Sequence, residues 1–145
     1  MAESPAAPSE EEVRRLLMVY QQYQAEAEAI VRQLGLFQLS VEGCEKALKA
    51  VEAMETAEDG QEMLVPIGQD SFIHAKLATK DKVIVGVGAG VSIEKSNAEA
   101  KESLNKRKEQ LSEASAKLNQ TLSKIEQEMG KIQSIAAQYE QQFSE

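Results

Sequence analysis

Few side chains in this 145-residue chain could do chemistry. His74 is the only histidine and Cys44 the only cysteine. A zinc site needs three or four nitrogen or sulfur ligands, and a thiol nucleophile needs a base at its side. One histidine and one cysteine far away in sequence supply neither. His74 reads instead as a strand residue near a subunit contact, and Cys44 as a small apolar residue in a helical seam. Gly86-Val87-Gly88-Ala89-Gly90 is the other chemical candidate, as a phosphate cradle. A dinucleotide fingerprint puts a helix directly after its glycines, and a P-loop ends in Gly-Lys-Ser/Thr. Here a strand-like segment follows, so the glycines fit tight turning and close strand packing. No catalytic residue, metal site or cofactor is expected, and the chain does not read as an enzyme. Asn119-Gln120-Thr121 matches a glycosylation sequon, but it falls in mid-helix and is read as chance.

Composition narrows the remaining classes. The net charge of −8 argues against nucleic acid, whose partners present a basic face, and against anionic membrane surfaces. Only 42% of residues are hydrophobic and 4% aromatic, with no Trp, so a large globular core is not expected. No apolar run reaches the length of a membrane span, and residues 1–9 lack the basic start and apolar stretch of a secretory signal. A lone cysteine suits a reducing compartment, and a cytoplasmic location is expected.

The elements that position these residues are organised around residues 63–95, the one stretch rich in Val and Ile and punctuated by Gly and Pro. Strands are expected over Met63 to Ile67, Ser71 to Thr79, a run holding Val83, Val85 and Val87, and Val91 to Lys95. They read as two β-hairpins, with Val91 and Ile93 facing inward. Two hairpins bury little and leave open edges, which pairing with hairpins of other subunits would relieve. Residues 1–8 read as a frayed tail. Ser9 with Glu12, and Ser96 with Glu99, are capping boxes that start helices. In the first helix apolar residues alternate every three and four positions: Val13, Leu16, Tyr20, Tyr23, Ala27, Ile30, Leu34, Phe37, Val41, Cys44, Leu48 and Val51. In heptad terms Val13 begins the a series and Leu16 the d series. The first helix should end near Glu58-Asp59-Gly60. The second carries a spine at Leu104, Leu111, Leu118, Ile125, Ile132 and Tyr139. Each helix should run for about 65–70 Å at 1.5 Å per residue. The fold class is therefore α+β, a long antiparallel coiled-coil hairpin with two central β-hairpins. Its parts are a tail over 1–8, helices over 9–59 and 96–145, and an assembly body over 60–95.

The seam is uneven. A companion set four residues beyond the spine is Lys101, Lys108 and Ser115 near the β section, but Leu122, Met129, Ala136 and Phe143 toward the other end. At that same end the first helix begins Leu16-Leu17-Met18-Val19-Tyr20, five apolar residues that wrap around it. A two-helix seam covers Leu16 and Tyr20 but leaves at least two of Leu17, Met18 and Val19 wet, and Ile135 lies outside the seam positions. Exposed apolar surface of this kind marks a binding site.

The long helix, then Leu64-Val-Pro-Ile-Gly-Gln-Asp-Ser-Phe-Ile-His-Ala-Lys-Leu77, then Lys82-Val-Ile-Val-Gly-Val-Gly-Ala-Gly-Val-Ser-Ile-Glu-Lys95, then a second long helix resembles the archaeal prefoldin alpha-subunit family, over nearly the whole chain after the tail. The resemblance implies a heterohexamer of two alpha-type and four smaller beta-type subunits, whose hairpins join into a β-barrel body bearing coiled-coil tentacles. It implies an ATP-independent chaperone that holds unfolded polypeptides at the tentacle tips and passes them to a group II chaperonin. Carried onto this sequence, the client-binding tip is Leu16, Leu17, Met18, Val19 and Tyr20 with Ile135, Tyr139 and Phe143. Assembly would fall to the β section at Val65, Ile67, Phe72, Ile73, Leu77, Val83, Val85, Val87, Val91 and Ile93. Without the resemblance, the same pattern also allows a structural tether, a coiled coil joining two specific proteins.

Overall fold

The computed structural model describes residues 8–143. The expected tail therefore lies almost wholly outside the described residues. The element order is α1 (Glu10–Glu55), β1 (Glu62–Gly68), β2 (Ser71–Lys76), β3 (Lys82–Gly88), β4 (Val91–Ser96) and α2 (Asn97–Phe143). The chain divides into two compact units. One holds residues 8–38 and 113–143, and the other Leu39–Ser112.

Both helices start where the capping boxes place them. Glu12 N–H donates to Ser9 Oγ at 3.2 Å while Ser9 N–H donates to Glu12 Oε2 at 3.4 Å, satisfying two orphan donors reciprocally. At α2 one half of the box forms, from Glu99 N–H to Ser96 Oγ at 3.3 Å. Glu10, Glu11 and Glu12 also place negative charge at the positive end of the α1 dipole.

The seam residues of α1 are all buried or half-buried, with Val13, Ile30, Cys44 and Val51 the most enclosed. On α2, Leu104, Ile125 and Ile132 are buried and the rest of the spine is half-buried. In the first unit Gln133 Nε2 donates to Tyr20 Oη at 2.8 Å, which fixes the register of the two helix segments there. In the second, Lys101 pairs with Glu55, and Lys108 Nζ lies 3.2 Å from Glu45 Oε1. The α1 partner steps back as the α2 position advances, so the segments are antiparallel.

In the second unit β1 pairs with β2 and β3 with β4, each antiparallel, and no third strand joins either ladder among the described residues. Each hairpin closes in the same way. The two central turn residues both have positive φ, Gln69 (50°) and Asp70 (56°) in one, Ala89 (52°) and Gly90 (75°) in the other. This is the type I′ geometry that matches strand twist. A bulge precedes each turn at a glycine of positive φ, Gly68 and Gly88.

Helix α1 stops at Glu55, short of the expected end near Glu58 to Gly60. The intervening residues are drawn to the first hairpin instead: Gly60 N–H donates to the Leu77 carbonyl at 2.7 Å and Leu77 N–H to the Gln61 carbonyl at 2.9 Å. The link between hairpins is held from both helix ends. Lys80 N–H donates to Asp59 Oδ1 at 2.8 Å, and the Lys80 carbonyl accepts from Asn97 Nδ2 at 2.6 Å. Asn97 Oδ1 is buried without a partner, a small penalty carried by this tie.

Ala89 is the one residue of the second turn with a Cβ at positive φ, where L-residues are strained by about 1 kcal/mol. Replacing it by Asn would create the Asn-Gly pair favoured in type I′ turns. Ala89→Asn should stabilise the unit by about 0.5–1 kcal/mol, read as a raised denaturation midpoint with an unchanged slope.

Candidate functional site: exposed apolar surfaces

Two surfaces remain uncovered. The first lies in the unit of residues 8–38 and 113–143, where α1 begins and α2 ends. Leu16 and Tyr20 are half-buried because they occupy seam positions. Leu17, Met18 and Val19 fill the three positions between them and are all exposed, Met18 by 65%. Tyr139 sits on the spine and is half-buried, with its ring centroid 4.8 Å from that of Phe143 at a 56° tilt. Phe143 is 72% exposed although it falls on the companion seam. Ile135 is half-buried rather than wet. It lies three residues after Ile132 and four before Tyr139, so it shares the flank of the spine.

The second surface is the pair of hairpins, in the other unit. In the first hairpin Val65 faces Ile73 and Met63 faces Ala75 across the ladder; on the opposite face Leu64 is paired with His74 and Pro66 with Phe72. Met63, Leu64, Ile67, Phe72 and Ile73 are all exposed, so this hairpin carries exposed apolar side chains on both faces. Val65 and Leu77 are half-buried. Leu77 and Met63 line one side of an apolar groove of about 310 Å³ whose other side is Ala50 and Ala53 of α1 with Ala57 just beyond its end.

The second hairpin is asymmetric. Val85 is buried and Val83 half-buried, and with Ala47, Val51, Met54 and Leu104 they line a groove between β3 and the helix segments of this unit. Arg107 Nη2 reaches across to donate to the Gly86 carbonyl at 2.7 Å, and Lys95 Nζ donates to Ser103 Oγ at 2.8 Å. The expectation that Val91 and Ile93 face inward does not hold within this chain, since both are about half exposed. Ile93 shares a face with Val85, but the groove is lined by β3 and not by β4. Val87 is also exposed, because the bulge between Gly86 and Gly88 breaks the alternation that would align it with Val83 and Val85.

Sequence reasoning missed several exposed apolar residues: Met63, Leu64 and Ile84 on the hairpins, and Val31, Leu36 and Leu39 on α1. The signal was present. Residues 63–67 and 83–85 are unbroken apolar runs, the mark of a strand destined for burial on both faces. On α1 the strict heptad reading passed over apolar residues lying off the seam. No helix among the described residues is long and apolar enough to cross a membrane.

Long paired helices around two small hairpins, apolar on faces the chain itself does not cover, define the α+β coiled-coil class of prefoldin subunits. A sequence profile of the prefoldin subunit matches residues 23–142, and the chain belongs to the prefoldin family, a family of chaperone subunits. It is similar to archaeal alpha subunits. It is 54% identical over 107 residues to prefoldin subunit alpha of Methanothrix thermoacetophila, covering 74% of this chain and 69% of that one. It is 39% identical over 99 residues to prefoldin subunit alpha of Methanococcoides burtonii, covering 68% and 72%. Among solved structures, a chain of filamentous PFD from Methanocaldococcus jannaschii has the same fold, with a TM-score of 0.68 over 81% of this chain and 95% of that one, at 24% identity.

The Arg107 contact ties α2 to the main chain of β3 beside the Val85 groove. Arg107→Ala should speed hydrogen exchange at the β3–β4 amides by about fivefold while leaving the β1–β2 amides unchanged, since an exposed hydrogen bond contributes about 1 kcal/mol.

Proposed function

We propose that this chain is the alpha-type subunit of an ATP-independent holdase of the cytoplasm. Two copies would assemble with four smaller beta-type subunits through the hairpins, which would join those of their neighbours in a β-barrel body. The coiled-coil ends would hold unfolded polypeptides and deliver them to a group II chaperonin. The observation that carries this reading is the exposed run Leu17, Met18 and Val19, in the unit that also carries the exposed Phe143. Soluble proteins rarely leave such a contiguous apolar patch without a partner. Membership of the prefoldin family supports the chaperone role, and the similarity to alpha subunits supports the stoichiometry.

Magnitudes favour many weak contacts over one strong one. Each of these side chains is already partly covered, so burying the remainder contributes about 1 kcal/mol, and the four supply about 4 kcal/mol, which ordering costs then reduce. That is weaker than millimolar binding. Useful retention then requires several ends to act on one client, which a multi-armed complex provides by avidity. Met18 and Met129 suit such a surface, because an unbranched thioether adapts to unlike partners.

The assembly surface rests on the same logic. Ile67, Phe72 and Ile73 are exposed on a hairpin whose ladder has no third strand among the described residues. Val65, Leu77, Val83, Val87, Val91 and Ile93 would add to the contact, and the buried Val85 would support it from beneath.

Two substitution sets test the halves separately. Replacing Leu17, Met18 and Val19 together by Ser should reduce suppression of aggregation of a denatured client several-fold, with native mass and helicity unchanged. Unchanged suppression would sink the assignment of the tip. Ile67→Ser with Phe72→Ser should have the opposite signature: loss of the hexameric mass, measured by native mass spectrometry, with the helices still formed. Binding to one folded partner only, and to no unfolded protein, would favour the tether instead.

A further inference from the structure

The client-binding surface proposed above does not have to stop at the tip. A groove of about 400 Å³ lies farther along the same unit, lined by Ala27 and Val31 of α1 and by Leu122 and Met129 of α2. Its floor is the small Ala27 at a seam position where Leu34 and Tyr20 stand one heptad to either side. Its wall is Val31, 55% exposed although its neighbours Ile30 and Leu34 are covered.

This groove and Leu17 of the tip occupy one side of the helix pair. Leu17, Gln24 and Val31 are seven residues apart and share a heptad position, as do Leu122, Met129, Ala136 and Phe143 on α2. The hydrogen bond between Gln133 and Tyr20 sets the register. With Tyr20 level with Gln133, antiparallel running brings Val31 level with Leu122 and Leu17 level with Ala136. The groove agrees, since it joins Gln24 and Val31 to Met129 and Leu122. Leu17 to Val31 spans about 21 Å, the length of about six residues of extended chain.

We infer that this lane, from Leu17 past Tyr20 to Val31, seats a six-residue extended segment of unfolded polypeptide carrying apolar side chains with a flanking Lys or Arg. This rests on the tip reading above. Three observations select that occupant. The lane alternates apolar patches with an exposed polar pair, the Tyr20 hydroxyl and the Gln133 amide, whose remaining hydrogen-bonding capacity matches an unpaired main chain. A folded helix has satisfied its own. The groove admits a few side chains but is too small for a folded surface. Glu28 and Glu126 flank it against the single Arg32, which favours a basic residue and disfavours a second copy of this acidic chain.

The test uses the full chain assembled with its partner subunits. A photo-cross-linking benzoylphenylalanine is placed at Gln24 in the lane, at Met18 in the tip, or at Ala29 on the outer face of α1. The probe is a labelled synthetic peptide of fourteen residues (an arbitrary choice of about twice the lane length) with alternating Leu and two Lys, and a second peptide has Glu for Lys. Gln24 and Met18 should cross-link and Ala29 should not. Val31→Ser should weaken binding of the Lys peptide by about three- to tenfold. The Glu peptide should bind more weakly, by a margin that shrinks with added salt. Cross-linking at Gln24 no stronger than at Ala29, or no effect of Val31→Ser, would overturn the lane. If Met18 still cross-linked, the tip reading would stand without it; if Met18 failed too, both would fall. Equal binding of the two peptides would overturn the charge selection.

Discussion

The alternation of three and four between apolar residues is the constraint on which this chain depends. A single helix with such a stripe cannot bury it, and the isolated hairpins are too small to build a core of their own. Each unit is therefore held by apposition of α1 and α2 segments, through Val13, Ile30, Ile125 and Ile132 in one and Cys44, Val51 and Leu104 in the other. The seam is narrow, and almost every side chain off it is in water. This is why the most enclosed positions are Val, Ile, Leu, Ala and Cys rather than aromatic residues, and why, among the described residues, only Ala100 reaches full burial.

The same narrowness leaves apolar surface uncovered. A globular core would absorb Leu17, Met18 and Val19; a two-helix seam covers only the residues on either side of them. On the hairpins, a sheet of two strands has two faces and two edges, and the chain covers parts of one. Surplus apolar surface at both places follows from a fold that makes less interior than its sequence could fill. Membership of the prefoldin family gives that surplus a chaperone-type context.

Much of this was legible in the sequence, because heptads and capping boxes are local codes. The seam positions of α1 could be read one by one, as could the helix starts at Ser9 and Ser96 and the two turns. What was not legible depends on contacts distant in sequence. Gly60 is drawn to Leu77, which ends α1 early, and Lys80 is gripped by Asp59 and Asn97. The inward reading of Val91 and Ile93 presumed a cover that this chain supplies to β3 alone. Ile135 shows the limit of a strict heptad, since a flanking residue can still be half covered. Val31 shows the reverse, an apolar residue beside the seam that the packing leaves open.

The uneven polarity of the α2 seam has a consequence for alignment. An unbroken leucine ladder is degenerate, since displacing one helix by seven residues returns a nearly equivalent fit. Here Lys101 and Lys108 meet Glu55 and Glu45 in one segment, whereas the equivalent places farther along α2 hold Leu122 and Met129. A one-heptad slip would bring Lys108 to Glu55 or Lys101 to Glu45, so only one of the two pairs would survive. These half-exposed ion pairs add little stability. They act as an index mark that favours one translational setting of the helices, the one in which both pairs form.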